Sequence, residues 1–365
     1  MKFRCERDTL AEAIVTAQRA VASRTGALPV LSGLRASVSG DSLELVGSDL
    51  ELTIRVRIPA QGEVDGTTVL PARLTSEIIR AVEPGVVQFT LEDEEARIEA
   101  GRSSFTVRVL SGDEFPRLPE VSEPGVRVEA AALAEALRQV VPAASRDEAR
   151  PILTGVLLTA SPTGLRLVAT DSYRLAVRDL RGVSMLQEGQ RVLVPAKGLA
   201  EVQRLLGDGE IDVVLAERDV VFRIGATEVT TRLIEGEFPN YEQLIPSGYP
   251  NRLTVSREAL SDAVKRVRIV GQARDRSPIR LAMSSEGLEL TAAAQEVGEA
   301  HEVVDAKYEG SELVVAFDSQ FLIDGLEAAD GGEVVVETLD PLKPATLRPI
   351  ESADYLYLLM PVRIS

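Results

Sequence analysis

Residues 126–140 read VRVEAAALAEALRQV, a short alternating segment that runs into an apolar stripe of helical period. Val126 and Val128 alternate as strand residues do, so both point to one face and into a core. Leu133, Ala136, Leu137 and Val140 then recur at i, i+3, i+4 and i+7, the pattern of a buried helix face. The same design stands near the start, where Phe3 and Cys5 lead to Leu10, Ala13, Ile14 and Ala17. It returns where Leu253 and Val255 lead to Leu260, Ala263, Val264 and Val267. The anchoring leucines are 123 (133 − 10) and 127 (260 − 133) residues apart. That is far longer than the roughly 20–50 residues of a solenoid repeat, so each copy is a domain.

Each copy continues in the same order. Residues 28–38 and 42–56 read as alternating strands broken at Gly40 and Asp41, a hairpin signal; their counterparts are 152–158 with 165–177 and 279–283 with 288–291. A second helix follows an apolar strand in every copy, and Pro71 and Pro195 stand where two of these helices begin, a place that tolerates the missing N–H. Pro84-Gly85, Gly207-Asp208-Gly209 and Asp330-Gly331-Gly332 are turns that launch further strands. Two copies close on similar words, GDEFPRLP from Gly112 and GEFPNYEQLIP from Gly236, which read as linkers. The expectation is an α+β chain of three repeated domains, 1–121, 122–250 and 251–365, each with two helices against antiparallel strands.

A chain of 365 residues with 45% hydrophobic content is long enough for three cores, built from Val, Leu, Ile and Ala because aromatics are only 4%. One cysteine forbids an internal disulfide, and the lack of a long apolar run points to a cytoplasmic protein. The net charge of −17, taken as a uniform field, repels phosphate, but it does not say where the charges sit. Reagents for catalysis are scarce. His301 is the only histidine and lies near Glu296, Glu299 and Glu302, as an exposed residue would. Cys5 falls on the inward strand face, the place of a small buried hydrophobe. No P-loop or GxGxxG stands between a strand and a helix. Neither an enzyme nor a metal or cofactor site is expected.

Six segments together carry a resemblance: MKFRCERDTL at the start, GSDLEL from Gly47, ATDSYRLAV from Ala169, VPAKGL from Val194, EGEFPNY from Glu235 and YLLMPVRIS at the end. Over its whole length the chain resembles the beta subunit of bacterial DNA polymerase III, the DNA sliding clamps, and its terminus looks most like actinobacterial members. The resemblance implies a head-to-tail homodimer whose six domains close a ring around duplex DNA, with two helices per domain lining the hole. It implies partners as well: the polymerase III alpha subunit, the clamp loader and other proteins that carry a short clamp-binding motif. A ring holds DNA by topology, which reconciles DNA binding with the negative charge.

Matched position by position, the motif cleft would use Leu153, Thr170, Ser172, Tyr173, Arg174, Leu175, Pro239, Gln243, Leu244, Leu347, Leu358, Met360 and Val362. Short apolar side chains would make the trough, Met360 would adapt to varied ligands, and Arg174 would position polar backbone at the rim. Ser172-Tyr173 replaces a frequent Gly-His, and Gln243 stands where an Arg is familiar; the larger tyrosine would narrow or reshape the trough. The DNA-facing set would be Arg19, Arg24, Arg73, Arg80, Arg138, Arg146, Lys197, Arg204, Lys265, Arg266 and Arg268. Arg138 and Lys265 each lie five residues after their leucine, roughly 140° from the buried stripe at about 100° per residue. Glu12, Glu77, Glu135 and Glu201 share these helices, and the last helix carries Asp324 and no base. Ring closure would use Phe105 against Ile269 and Val270 of the other protomer, with Arg102 facing Glu296 or Glu299. The alternative is a repeat-built adaptor that binds peptides and never encircles DNA; a hydrolase or transferase using acidic side chains is a third reading.

Overall fold

The computed structural model describes every residue except 23–27, 120, 247, 272–277, 295–296 and 364–365. Arg24 and Glu296 therefore lie outside the described residues. Six α-helices occur among those described: α1 (Arg7–Ala17), α2 (Ala72–Ala81), α3 (Ala130–Val140), α4 (Ala196–Leu205), α5 (Arg257–Gly271) and α6 (Ser319–Ala328). Their starts follow from local chemistry. The Glu6 carboxylate caps α1 by accepting from the Asp8 and Thr9 N–H groups at 2.6 and 3.1 Å. Asp318 caps α6 by accepting from Gln320 and Phe321 at 2.9 and 3.2 Å. Both satisfy amide groups that a helix leaves orphaned. Pro71 is the cap of α2 and ends the preceding strand, one position before the first helical turn.

The chain forms two compact units, Met1–Ala130 with Arg204–Leu233, and Ala131–Gln203 with Ile234–Ser365. In the first, a five-stranded sheet runs in the order Gln61–Val64, Lys2–Glu6, Val86–Glu92, Glu95–Ala100, Ser103–Arg108. A nine-stranded sheet joins the first module to strands of the second, where Leu52–Pro59 pairs antiparallel with Thr227–Arg232. The α1 stripe, Leu10, Ala13, Ile14 and Ala17, is buried. Gly47 runs under it: a Cβ there would lie 2.0 Å from the Ala17 carbonyl oxygen, so no side chain fits.

The second unit repeats this plan. A nine-stranded sheet joins the second and third modules where Arg174–Arg181 pairs antiparallel with Tyr355–Leu359. A four-stranded sheet runs Gly298–Val304, Gly287–Ala294, Pro278–Ser284, Leu313–Asp318. The stripes of α3 and α5 are buried over their full length. The two joints match to the backbone atom. Arg232 N–H donates to Glu51 O at 2.8 Å in one, and Met360 N–H donates to Tyr173 O at 2.9 Å in the other.

Several sequence expectations need correction. The segments 42–56 and 165–177 are not single strands; each breaks into two at Asp49–Glu51 and Asp171–Tyr173. In both, the aspartate Oδ1 accepts from two N–H groups ahead of it, Glu51 and Leu52 or Tyr173 and Arg174, and one non-glycine residue takes positive φ, Leu50 at 75° and Ser172 at 81°. Alternating apolar residues hid a side-chain-driven turn. Pro29–Ser32 and Pro151–Thr154 are short 3-10 turns that precede their strands, because proline withholds the N–H a ladder needs. Val126 is 36% exposed at its strand start while Val128 is buried, so that pair does not share a core. The linker phenylalanines are anchored, Phe115 among Val30, Leu31, Val46 and Val69, and Phe238 among Leu157, Val168, Leu193 and Tyr241.

Candidate functional site

The cleft residues read from the sequence all fall in the second unit, and the turn after Thr170 organises them. Thr170 Oγ1 donates to Arg174 O at 2.6 Å and accepts from Ser172 N–H at 3.2 Å. Asp171 Oδ1 accepts from the Tyr173 and Arg174 N–H groups at 2.9 and 3.0 Å. The turn thus presents Tyr173 outward, 45% exposed, with its ring stacked 6.5 Å from Phe321 of α6.

Arg174 is not a rim residue. Its guanidinium lies 4.4 Å from the Phe321 ring centre, bonds Asp171 Oδ2 at 3.1 Å, and closes on Asp324 and on the Pro142 carbonyl. Burial opposes its charge, but Tyr357 and Asp324 outweigh this and raise its pKa. It is a strut that ties the turn to α6. Asp324, read as an acid on a DNA-facing helix, is its counter-ion. Neither direction was visible in the sequence, since the partners are 150 positions apart.

Below the turn, Leu175 and Leu358 belong to one buried cluster with Leu157, Val168, Val177, Leu193, Phe238 and Tyr241. Ile152, Ile234, Ile245 and Leu356 pack against it. Thr170 and Leu347 are also buried, so they offer no open surface, and Leu153 is half-buried. The exposed apolar surface of the set comes from Tyr173, Leu244, Met360 and Val362, with Pro239, Gln243 and Ser172 polar or exposed beside them. Met360 and Val362 are held by their main chain, to Tyr173 O at 2.9 Å and Ala316 O at 2.8 Å. Sequence reasoning missed Phe321, whose aromatic ring extends this wall; the only signal was a large apolar residue at a helix start.

The basic residues are dispersed through salt bridges. Arg73 pairs with Glu77 at 2.9 Å, Lys265 with Glu327 at 2.7 Å, and Arg266 with Glu302 through two nitrogens. Arg268 donates to Gln320 Oε1 at 2.9 Å. Arg138 does not project freely as its angular position suggested. It is half-buried, grips Glu135 through two nitrogens, and donates to the Glu327 and Ala328 carbonyls and, at 3.1 Å, to Asp330. The Arg138 hydrogen bond holds the Glu135 carboxyl below its ordinary range, whereas burial and Glu135 push Asp330 up. Arg19, Lys197, Arg204, Arg80 and Arg146 are exposed.

The residues expected to close a ring lie on or beside two strands that end their sheets and on α5. Ser103–Arg108 ends its sheet, with Phe105 half-buried opposite Ile98 and Arg102 exposed beside it. In the other unit Gly298–Val304 ends its sheet and bears exposed Glu299, while α5 carries Ile269, 64% exposed, and half-buried Val270. Cys5 is buried and its thiol pKa is raised chiefly by burial. His301 is exposed and lies 2.9 Å from Glu289. Among the described residues no cluster of His, Cys, Asp and Glu is arranged to hold a metal ion, and no helix is long and apolar enough to cross a membrane.

Family models for the DNA polymerase III beta subunit match along the chain: the N-terminal domain over residues 1–119, the central domain over 127–240 and the C-terminal domain over 242–363. The beta sliding clamp of Streptomyces coelicolor is 36% identical, and that of Staphylococcus aureus 32%, with 100% of this chain covered and 100% and 99% of theirs. The Streptomyces likeness agrees with the actinobacterial look of the terminus. Among solved structures, the DNA polymerase sliding clamp of Bacillus subtilis superposes with a TM-score of 0.93 at 29% identity, covering 100% of both chains. The sliding clamp of Bartonella birtlesii bound to griselimycin gives 0.93 at 29%, again over 100% of both. The chain belongs to the DNA polymerase III beta subunit family, the DNA sliding clamps.

Proposed function

We propose that two copies join head to tail into a ring that encircles duplex DNA without reading its sequence, and that the cleft around Tyr173 and Met360 receives the short motifs of the replicative polymerase, the clamp loader and repair proteins. In this reading the repeats 1–121, 122–250 and 251–365 are the ring's domains and the protein is catalytically silent. The observation that carries it is the pair of open edges. Gly298–Val304 holds the place in its module that Leu52–Pro59 and Arg174–Arg181 hold in theirs. Ser103–Arg108 holds the place of Thr227–Arg232 and Tyr355–Leu359. Two such joints are made within the chain, and the third pair of strands is left for another copy.

A threaded ring needs only weak, sequence-blind contacts to phosphate, which suits arginines and lysines diluted by carboxylates. In the cleft, a ligand's aliphatic or aromatic side chains would cover Tyr173, Leu244, Met360 and Val362, while Leu175 and Leu358 form a floor that cannot collapse. The deciding experiment loads the protein onto nicked circular DNA and then cuts the circle. Retention on the circle with rapid loss from the linear form is expected, and equal retention on both forms would defeat enclosure in favour of an adaptor that does not encircle DNA.

A further inference from the structure

The four-stranded sheet of the third module has a second face, turned away from α5. Cross-strand partners share a face, and the register runs Val314, Ala282, Glu289, Val303 straight across all four strands. The helix side is fixed by Glu302, which reaches Arg266 of α5, and by buried Val304. Val303 therefore lies on the other side, where it is 63% exposed, and Val314 at the far end of the row is 51% exposed. Between and beside them the surface sinks into a hollow of about 450 Å³. Ala282, Val303 and Val314 supply its apolar surface, and Glu286, Glu289 and Glu312 also line it.

We infer that this hollow is a docking site for a short extended segment in which aliphatic residues alternate with lysine or arginine. Charge and shape select this occupant. Two exposed valines end the row, with Ala282 and Glu289 between them, and covering the valines is favourable. Three carboxylates around it would repel an acidic segment and hold a cationic one in register, a selection that acts by penalising the wrong charge as much as by rewarding the right one. The acidic field is bounded on the same face by Arg280 and His301, one row farther along, with His301 already turned to Glu289. Pairing of Gly298–Val304 with another copy would occupy its backbone edge and leave this face open. Its lining shares no residue with the cleft at Tyr173, although Val362 of that cleft bonds Ala316 O on the strand that carries Val314, and the inference does not depend on what that cleft binds.

The probe is the peptide acetyl-Arg-Leu-Lys-Leu-Arg-amide, with acetyl-Glu-Leu-Glu-Leu-Glu-amide as its opposite, titrated into the full chain by calorimetry. The cationic peptide is expected to bind and the acidic one not. Val314→Lys, and separately Val303→Lys, should lower affinity tenfold or more, and Glu289→Gln with Glu312→Gln several-fold. Glu188→Gln with Glu217→Gln removes the same charge elsewhere and should leave affinity for this peptide unchanged, and Met360→Ala, which alters the other cleft, should not lower affinity for this peptide. No binding by the unaltered chain would overturn the site. So would equal loss in both double Glu→Gln variants, which marks bulk attraction to an acidic chain. Loss in Met360→Ala with none in Val314→Lys would assign the peptide to the other cleft.

Discussion

Ser172 sits at φ 81°, a conformation in which an L side chain is strained and glycine is not. It is tolerated because the turn is held by Thr170 and Asp171 and because Arg150 Nη1 donates to its hydroxyl at 3.3 Å. Ser172→Gly should therefore stabilise the chain by about 0.5–1 kcal/mol, read as a rise in thermal midpoint; a fall would mean that the Arg150 contact outweighs the strain. Met360 differs in kind, because its side chain is partly exposed while its backbone does the structural holding. Truncating it to Ala should leave the fold intact and weaken a clamp-binding peptide by about 1–2 kcal/mol, and unchanged affinity in calorimetry would remove Met360 from the cleft. Residue identity at such positions was legible in the sequence. Which way Arg174 points was not, because its direction is set by Asp324 and Phe321.

Elements meet through a polar staple as well as through apolar stripes. Arg138 and the buried Gln139 of α3 bond the Ala328 carbonyl at the end of α6, and Asp330 just beyond it. Cations at a helix C-terminus are favourable, and here the carbonyls are orphans that need donors. Glu135 orients Arg138, and its pKa is lowered from 4.5, so its contribution is complete above that value and fades as pH falls through the lower folded value. Asp330 is raised by burial and then by Glu135, so it has the opposite sign, and Glu135→Gln relieves it in part, which offsets some of the loss. Glu135→Gln should cost about 1 kcal/mol near neutral pH and converge with the parent chain in acid. A difference in thermal midpoint that stays constant from neutral to strongly acidic pH would sink this assignment. Helix period placed α3 correctly, but the same period sent Arg138 to solvent, since a rule about one helix knows nothing of the element beside it.

For the whole molecule the decisive feature is the succession of sheet joints, two made within the chain, with the equivalent strands Ser103–Arg108 and Gly298–Val304 each left at the end of a sheet. Phe105 lies on one open edge and Ile269 is exposed at the end of α5. Phe105→Arg should put a charge into an apolar contact and shift the protein to monomer in sedimentation, with its melting otherwise near that of the parent. An undisturbed dimer would exclude Phe105 from the interface. The three-fold repeat, the helix stripes and the family resemblance were all written in the order of side chains, because periodicity and spacing are local properties of the chain. The two aspartate turns, the burial of Leu347, the strut at Arg174, the staple at Arg138 and the row of valines and a carboxylate on the outer sheet face were decided only by tertiary structure. Each depends on which distant atoms arrive to satisfy a charge, a carbonyl or an exposed methyl group, and no pattern along a single strand or helix carries that information.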